Sequence, residues 1–446
     1  MKKSLKFVSP VKESTQSSAR REIYDRSVEL FGQQQYVEAL HTLLDHFNPE
    51  FRQKYGNETG TEFRIPHGSI IVDIRIAYGR LDICADFLTL PEKGRVAMLR
   101  QIVDMNISRL RLPHFVKDGN KLQIAYSCPL SETHPHKILG VLSNICHIGD
   151  RYDDEFCTKF GAERCYEPEI TPYPAESVDR IYDEIQSLGK DVQAAVKEYN
   201  SQRQFRSSWY ALFTFYYQLD YFASPQGQLA NELDKVCAAM DEEALYSELV
   251  NRGSAYLEKL LAMPKEELAK DLYFVDTLVP PKHPSSLQRI QENMEEDFNT
   301  ATGLMQQSEF ESAMLLMTYK FYQAYAFNAM QDDLNAVIVT ALRKASEKTP
   351  DVAADILWNA MNNIIEGELV PDIDLEDVIA GNPAAQAAVG MAQAGAAAVQ
   401  QAMSSGDMQA LQQKMMEAMS KGDMAEYMRL AGEMQQMVMK GMFNNN

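Results

Sequence analysis

The densest grouping of ligand-type side chains is His134 and His136, two apart around Pro135, followed by Cys146, His147, Asp150, Asp153, Asp154 and Cys157. On a helix, His147 and Asp150 share a face, as do Cys146, Asp150 and Asp153, a spacing that can offer nitrogen, sulfur and oxygen ligands to a divalent cation. The plainer reading has the better support. The two histidines bracket a proline at a helix start, Cys146 belongs to an apolar stripe, and Asp153-Asp154-Glu155 has the pattern of a solvated face. Asp153 and Asp154 with Glu163 also supply carboxylates for acid–base work, but nothing in the chain sets their separation. The aromatic run Trp209, Tyr210, Phe213, Phe215, Tyr216, Tyr217, Tyr221 and Phe222 is apolar all round and reads as a buried helix. Base stacking needs a basic stripe beside the rings, and Arg203 and Arg206 are too few to make one. There is no GxGxxG, Walker glycine loop, GxSxG elbow or HExxH. The expectation is a non-enzyme with no catalytic residue, no metal ligand and no cofactor.

A second grouping is apolar. Twelve of the 23 methionines fall in the last 56 residues, where two near-copies, Ser405-Gly406-Asp407-Met408 and Lys421-Gly422-Asp423-Met424, lie sixteen apart. In each, glycine breaks the preceding element and aspartate accepts the free N–H groups of the next helix. Met408, Leu411, Met415, Met416 and Met419 then recur at helical spacing, as do Met424, Tyr427, Met428, Met434, Met437 and Val438. Thioether stripes suit varied apolar partners, and helices this short are marginal alone. They need something to bury against: the chain's own helices, a protein partner, or a second copy. Four basic against five acidic residues in this stretch argue against a membrane surface.

The chain has 446 residues, a net charge of -20 and a pI near 4.9, which argues against nucleic acid because phosphate neutralisation needs clustered Lys and Arg. Six cysteines without CxxC spacing read as reduced thiols. The early apolar stretch at Phe7-Val8 is too short for a secretory signal, and no run has bilayer length, so a cytoplasmic location is expected.

Residues 1–20 are polar and read as a flexible arm. Leu40, Leu43, Leu44 and Phe47 follow helical spacing; Ile70 to Phe87 alternates around a Tyr78-Gly79 turn; Pro91 opens a helix carrying Val96, Leu99, Ile102, Val103 and Ile107. Asp118-Gly119-Asn120 turns a second hairpin, and Pro135 starts a further helix. Helix, hairpin, helix, hairpin, helix predicts an α+β domain with an antiparallel sheet over 21–166. This order, together with the strand Leu81 to Leu90 ending at Pro91-Glu92, a helix reaching Met105-Asn106, and the pair Leu110 to Val116 and Leu122 to Leu130, resembles the YbjN family and its type III secretion chaperone-like fold. The resemblance covers under a third of the chain and implies an interaction module without an established chemistry.

Prolines over 167–175 mark a linker, and 176–366 reads as an all-α helical domain. Within it, Leu212 to Tyr217 matches Leu316 to Phe321 at an offset of 104, which suggests an internal duplication joined through the proline-rich turn 279–284. An acidic, then Ala/Gln/Gly-rich linker over 367–404 precedes the Met-rich helical hairpin tail at 405–446. The functional expectation is a protein-binding adaptor or chaperone-like protein. A structural subunit of a larger bacterial assembly is the alternative, and a metal-dependent enzyme stands behind both.

Overall fold

The computed structural model describes residues 3–12, 15–16 and 18–371. The candidate partner-binding positions Met408 to Val438, the tail that carries them and most of the linker before it lie outside the described residues.

After the two-residue strand β1 (Thr15–Gln16), helices α1 (Ser18–Gly32) and α2 (Tyr36–Phe47) form a hairpin, followed by the short α3 (Phe51–Tyr55). Strands β2 (Glu62–His67), β3 (Ile70–Ala77) and β4 (Arg80–Thr89) come next, then α4 (Arg95–Ser108), β5 (His114–Asp118), β6 (Lys121–Pro129), α5 (Pro135–Phe160) and β7 (Glu163–Arg164). The sheet is antiparallel with order β2-β3-β4-β6-β5, and β7 pairs with β4. The β3–β4 turn places Tyr78 and Gly79 at φ 50° and 72°, the two positive values that a two-residue hairpin loop matching strand twist requires. Two strands more are present than the two hairpins supply: β2, which joins β3 through a tight turn at Gly68, and the short β7 beside β4. Helix α4 also begins four residues after Pro91, because Leu90 still donates its N–H to Asn120 O, which keeps the chain extended up to the proline.

Strand alternation sorts the two faces of the sheet. Phe63, Ile65, Val72, Ile74, Leu81, Ile83, Ala85, Phe87, Leu122 and Ile124 are buried in one core with Leu40, Leu43 and Leu44 of α2 and Ile138, Leu142 and Ile145 of α5. The other face carries cross-strand ion pairs, Arg75–Glu62 at 3.3 Å, Arg64–Asp73 at 3.6 Å and Lys121–Asp86 at 2.9 Å.

The rest is helical. Strand β8 (Ile170–Pro172) leads to α6 (Ala175–Ser201), α7 (Phe205–Ala223), α8 (Gly227–Met240), α9 (Tyr246–Leu261) and α10 (Lys265–Leu268). After β9 (Tyr273–Val275) and β10 (His283–Pro284) come α11 (Leu287–Gln306), α12 (Phe310–Phe327), β11 (Asn328–Gln331), α13 (Asp332–Ala345) and α14 (Pro350–Glu366). Phe205 and Phe310, which open α7 and α12, each follow a residue pair with the same left-handed turn, at Arg203 (φ 59°) and Ser308 (φ 60°). The turn between α1 and α2 repeats it at Gln34 (φ 61°). Helices α7 and α12 form the centre of the second core, with Phe213, Phe215, Tyr216, Phe222, Phe321, Tyr322 and Tyr325 buried. The aromatic run is thus a core helix, and two of its polar tips find partners inside it: Trp209 Nε1 donates to Met240 O at 2.8 Å and Tyr216 OH to Gly253 O at 2.6 Å.

Three connecting segments depart from the sequence reading. Residues 3–12 are no loose arm: Val8 is buried in the helical core, Ser4 N donates to Lys348 O at 2.9 Å, and Val11 N donates to Phe222 O at 3.0 Å. Leu5, Phe7, Val8 and Val11 supply the apolar contacts that hold an otherwise polar segment. The stretch 167–175 does more than link, since β8 pairs antiparallel with β9 and Tyr173 is buried. The segment before the proline-rich turn sends Leu278 and Val279 into the core of the α+β part. Leu278→Ala should therefore destabilise the α+β part by about 2–5 kcal/mol, the cost of a buried leucine cavity. Urea denaturation followed through that part checks this; a loss below about 1 kcal/mol would show that the strap only rests on the surface.

Candidate functional site

Most of the chemistry-bearing residues on α5 are spent on structure, while His136 and His147 are exposed. His134 caps the helix, its Nδ1 accepting from His136 N at 3.3 Å, while its ring stands edge-on to Phe31 at 5.1 Å. Cys146 is buried, and burial raises its thiol well above the ordinary range, so thiolate chemistry is disfavoured there. All six cysteines are free. Asp150 Oδ1 accepts from Ser69 N at 2.7 Å and lies so close to Gly68 that a Cβ there would sit 1.7 Å from it. Glycine is the residue that lets the β2–β3 turn meet α5 at this point. Glu163 lies exposed on β7, paired through its backbone with Thr89. Among the described residues, no group of three His, Cys, Asp or Glu is placed to hold a metal.

Asp153 and Asp154 meet a partner that sequence reasoning missed, Arg164. Its Nε donates to Asp153 Oδ2 at 2.5 Å, its second nitrogen binds Asp154, and Glu167 lies 3.6 Å away. Burial pushes the Asp153 carboxyl up to about 6 in spite of the guanidinium. Spacings of eleven and ten residues carry no local signal; only the β7–β4 pairing brings Arg164 back over α5. Nearby, Asp271 Oδ2 accepts from Leu229 N at 2.9 Å and so caps the start of α8 from a distant segment. Burial pushes its carboxyl up to about 6, opposed by the Leu229 and Gln228 N–H groups and reinforced by Asp154. This cluster joins α5, β7, α8 and the segment before β9; Arg164 takes up Asp153 Oδ2 and Asp154, while Asp153 Oδ1 is buried without a hydrogen-bond partner.

Two surface features remain. A cleft of about 310 Å³ is lined by Lys54, Tyr55, Arg64, Tyr166, Glu169 and Asp276. Its cations are already engaged, Lys54 with Asp276 at 3.3 Å and Arg64 with Asp73 at 3.6 Å. The other feature is the outer side of α4. Met98, Ile102 and Met105 are buried against the sheet, whereas Val96, Val103 and Ile107 are 65%, 56% and 81% exposed, and Leu112 beyond the helix is 50% exposed. Val96, Arg100, Val103 and Ile107 fall at i, i+4, i+7 and i+11, within a sector of about 60° at 100° per residue. The signal was in the sequence: a helix with apolar residues on opposite sides is either buried all round or has a second contact to make.

Arg164→Met strands the buried Asp153 carboxylate and should cost about 3–5 kcal/mol, read as a loss of stability at pH 7 in urea denaturation. Asp271→Asn keeps the cap and removes the titration. A carboxyl pKa raised to about 6 means the native state holds the proton more tightly than the unfolded chain. The wild type therefore loses stability from this group as pH rises from about 4 to about 6. The Asn variant should be the more stable at pH 7, with the difference closing by pH 4; a pH-independent difference would remove Asp271 from the linkage. Comparison of the chain with protein-family models, with curated proteins and with solved structures finds no match.

Proposed function

We propose that this chain is a non-enzymatic protein-binding adaptor or chaperone-like protein, and that the outer stripe of α4 is its contact surface. The observation that carries this is the exposure of Val96, Val103, Ile107 and Leu112 on and just beyond one helix, in a row interrupted by Arg100. Apolar surface costs free energy in water at roughly 25 cal/mol per Å², so a run of large aliphatic side chains along one ridge is the mark of a surface that is covered in use. Among the described residues the other exposed apolar side chains come singly, as Tyr78 does at a turn, or as the adjacent pair Leu245 and Tyr246 at the start of α9, and make a shorter row.

Two further features support the reading. The order of helix, antiparallel strands, helix, hairpin and helix in the α+β part is the one a YbjN-like or secretion-chaperone-like relationship would supply. Of the titratable groups flagged in the sequence, His134, Asp150, Asp153 and Asp154 are engaged in holding elements together. Six free thiols suit a reducing compartment such as the cytoplasm, and no helix among the described residues is long and apolar enough to cross a membrane. In this reading the methionine stripes from Met408 to Val438 are a second partner-facing surface, argued from their spacing alone.

Val103→Asp and Ile107→Asp test the α4 surface. Both positions face water, so each change should alter stability by no more than about 0.5 kcal/mol. Each should nevertheless remove the proteins that co-purify stoichiometrically with the wild-type chain from its own host. An unchanged set of co-purifying proteins, with the fold intact by circular dichroism, would take the contact away from α4.

A further inference from the structure

We infer that the α4 stripe receives an amphipathic helix of a partner protein whose apolar face is flanked by Asp and Glu. This rests on the adaptor reading and names the partner's chemistry. The chain as a whole is acidic, with a net charge of -20, yet residues 93–117 hold Lys93, Arg95, Arg100, Arg109, Arg111 and Lys117 against Asp104 alone. Lys93, Arg100, Arg109, Arg111 and Lys117 are exposed, and none of them takes part in an ion pair among the described residues. The open face of the sheet is different, since Arg64 and Arg75 are matched there with Asp73 and Glu62 across strands. The cations around α4 thus have charge left for an outside partner. Acidic groups opposite them gain from steering and from exclusion of wrong partners.

The position of Arg100 selects among occupants. It stands inside the stripe, between Val96 and Val103, close to its centre. A two-fold interface places the same patch against itself, so a dimer centred on this stripe would bring Arg100 toward the Arg100 of its mate with no acid between them. A partner carboxylate removes that conflict. The shape favours a helix as the occupant. Val96 to Ile107 span about 16 Å at 1.5 Å per residue, a straight convex ridge of the kind that fits between the side-chain rows of another helix. Lys93 lies before the helix beside the exposed Glu92, and Arg109 and Arg111 lie after it, so the excess of positive charge stands at the C-terminal end of the ridge.

The test uses the full chain and two labelled helix-forming peptides of about 18 residues, identical in a leucine stripe and flanked by Glu in one and Lys in the other. Fluorescence anisotropy should show the Glu peptide binding at least about tenfold more tightly than the Lys peptide, with the advantage shrinking as salt rises. Combined Arg100→Glu, Arg109→Glu and Arg111→Glu should reverse the preference, and Ile107→Asp should abolish binding of both peptides. Equal affinity for the two peptides, both lost in Ile107→Asp, would overturn the acidic partner while leaving apolar docking on α4 in place. Failure of the Glu peptide to bind, or binding indifferent to Ile107→Asp, would overturn the proposal and the α4 surface with it. Two controls name the other occupants. A dimer in sedimentation velocity that Ile107→Asp dissolves would assign the stripe to a second copy. Flotation with phosphatidylserine vesicles, lost in the same variant and without peptide binding, would assign it to anionic lipid. Either result overturns the partner helix.

Discussion

Leu278 and Val279 are buried in a core whose other buried members all lie between residues 40 and 162, while Val8 is buried in a core otherwise built from residues 173–364. Each half of the described chain therefore completes its interior with a segment that belongs, in sequence, to the other. The backbone makes the exchange specific. Leu278 N donates to His67 Nδ1 at 3.0 Å, and Gly68 N donates to Asp276 O at 3.0 Å. His67 can accept that bond only with Nδ1 unprotonated, and burial lowers its pKa and favours the neutral ring. Apolar burial and a satisfied polar contact act at the same place, so the strap has one register. The fold of the α+β part, and with it the position of α4, depends on residues from the middle of the helical part.

The polar groups around this junction show how charge is distributed over the molecule. Arg164 takes up Asp153 and Asp154, Asp271 caps α8, and Arg151 pairs with Asp234. Buried or half-buried charge with partners on several elements fixes mutual orientation more than it adds stability, because desolvation offsets much of the Coulomb gain. The outer face of the sheet uses exposed ion pairs, each of small energetic weight. Around α4 the pattern changes to unpaired cations on an apolar ridge. That contrast in charge pairing is what the proposed contact surface on α4 rests on.

The parts of the architecture legible in the sequence are those set by local periodicity and turn chemistry. Alternation in Ile70 to Phe87 and the Tyr78-Gly79 pair specify β3, β4 and their turn; Leu40, Leu43, Leu44 and Phe47 specify the inner face of α2; the aromatic run specifies a helix with no solvent side. What was misread involved long-range contact. The polar composition of residues 1–20 reads as a free arm, yet within it Phe7 N finds Ser346 Oγ at 2.9 Å and Val8 finds the helical core. Prolines in 167–175 suggested a spacer, yet β8 pairs with a strand a hundred residues on. Local composition cannot report a partner that distant.

The sequence by itself determined the element types, an antiparallel sheet followed by helices, and the all-round apolar character of α7, because each rests on side chains within a few residues of one another. Only the tertiary structure decided which side of α4 faces water, that Arg164 pairs with Asp153 and Asp154, and that Leu278 and Val8 close the interiors of segments far from them in the chain. Those outcomes depend on which surfaces meet. A helix with two apolar sides buries the one that a neighbour covers, and the choice of neighbour is made by the packing of the whole chain.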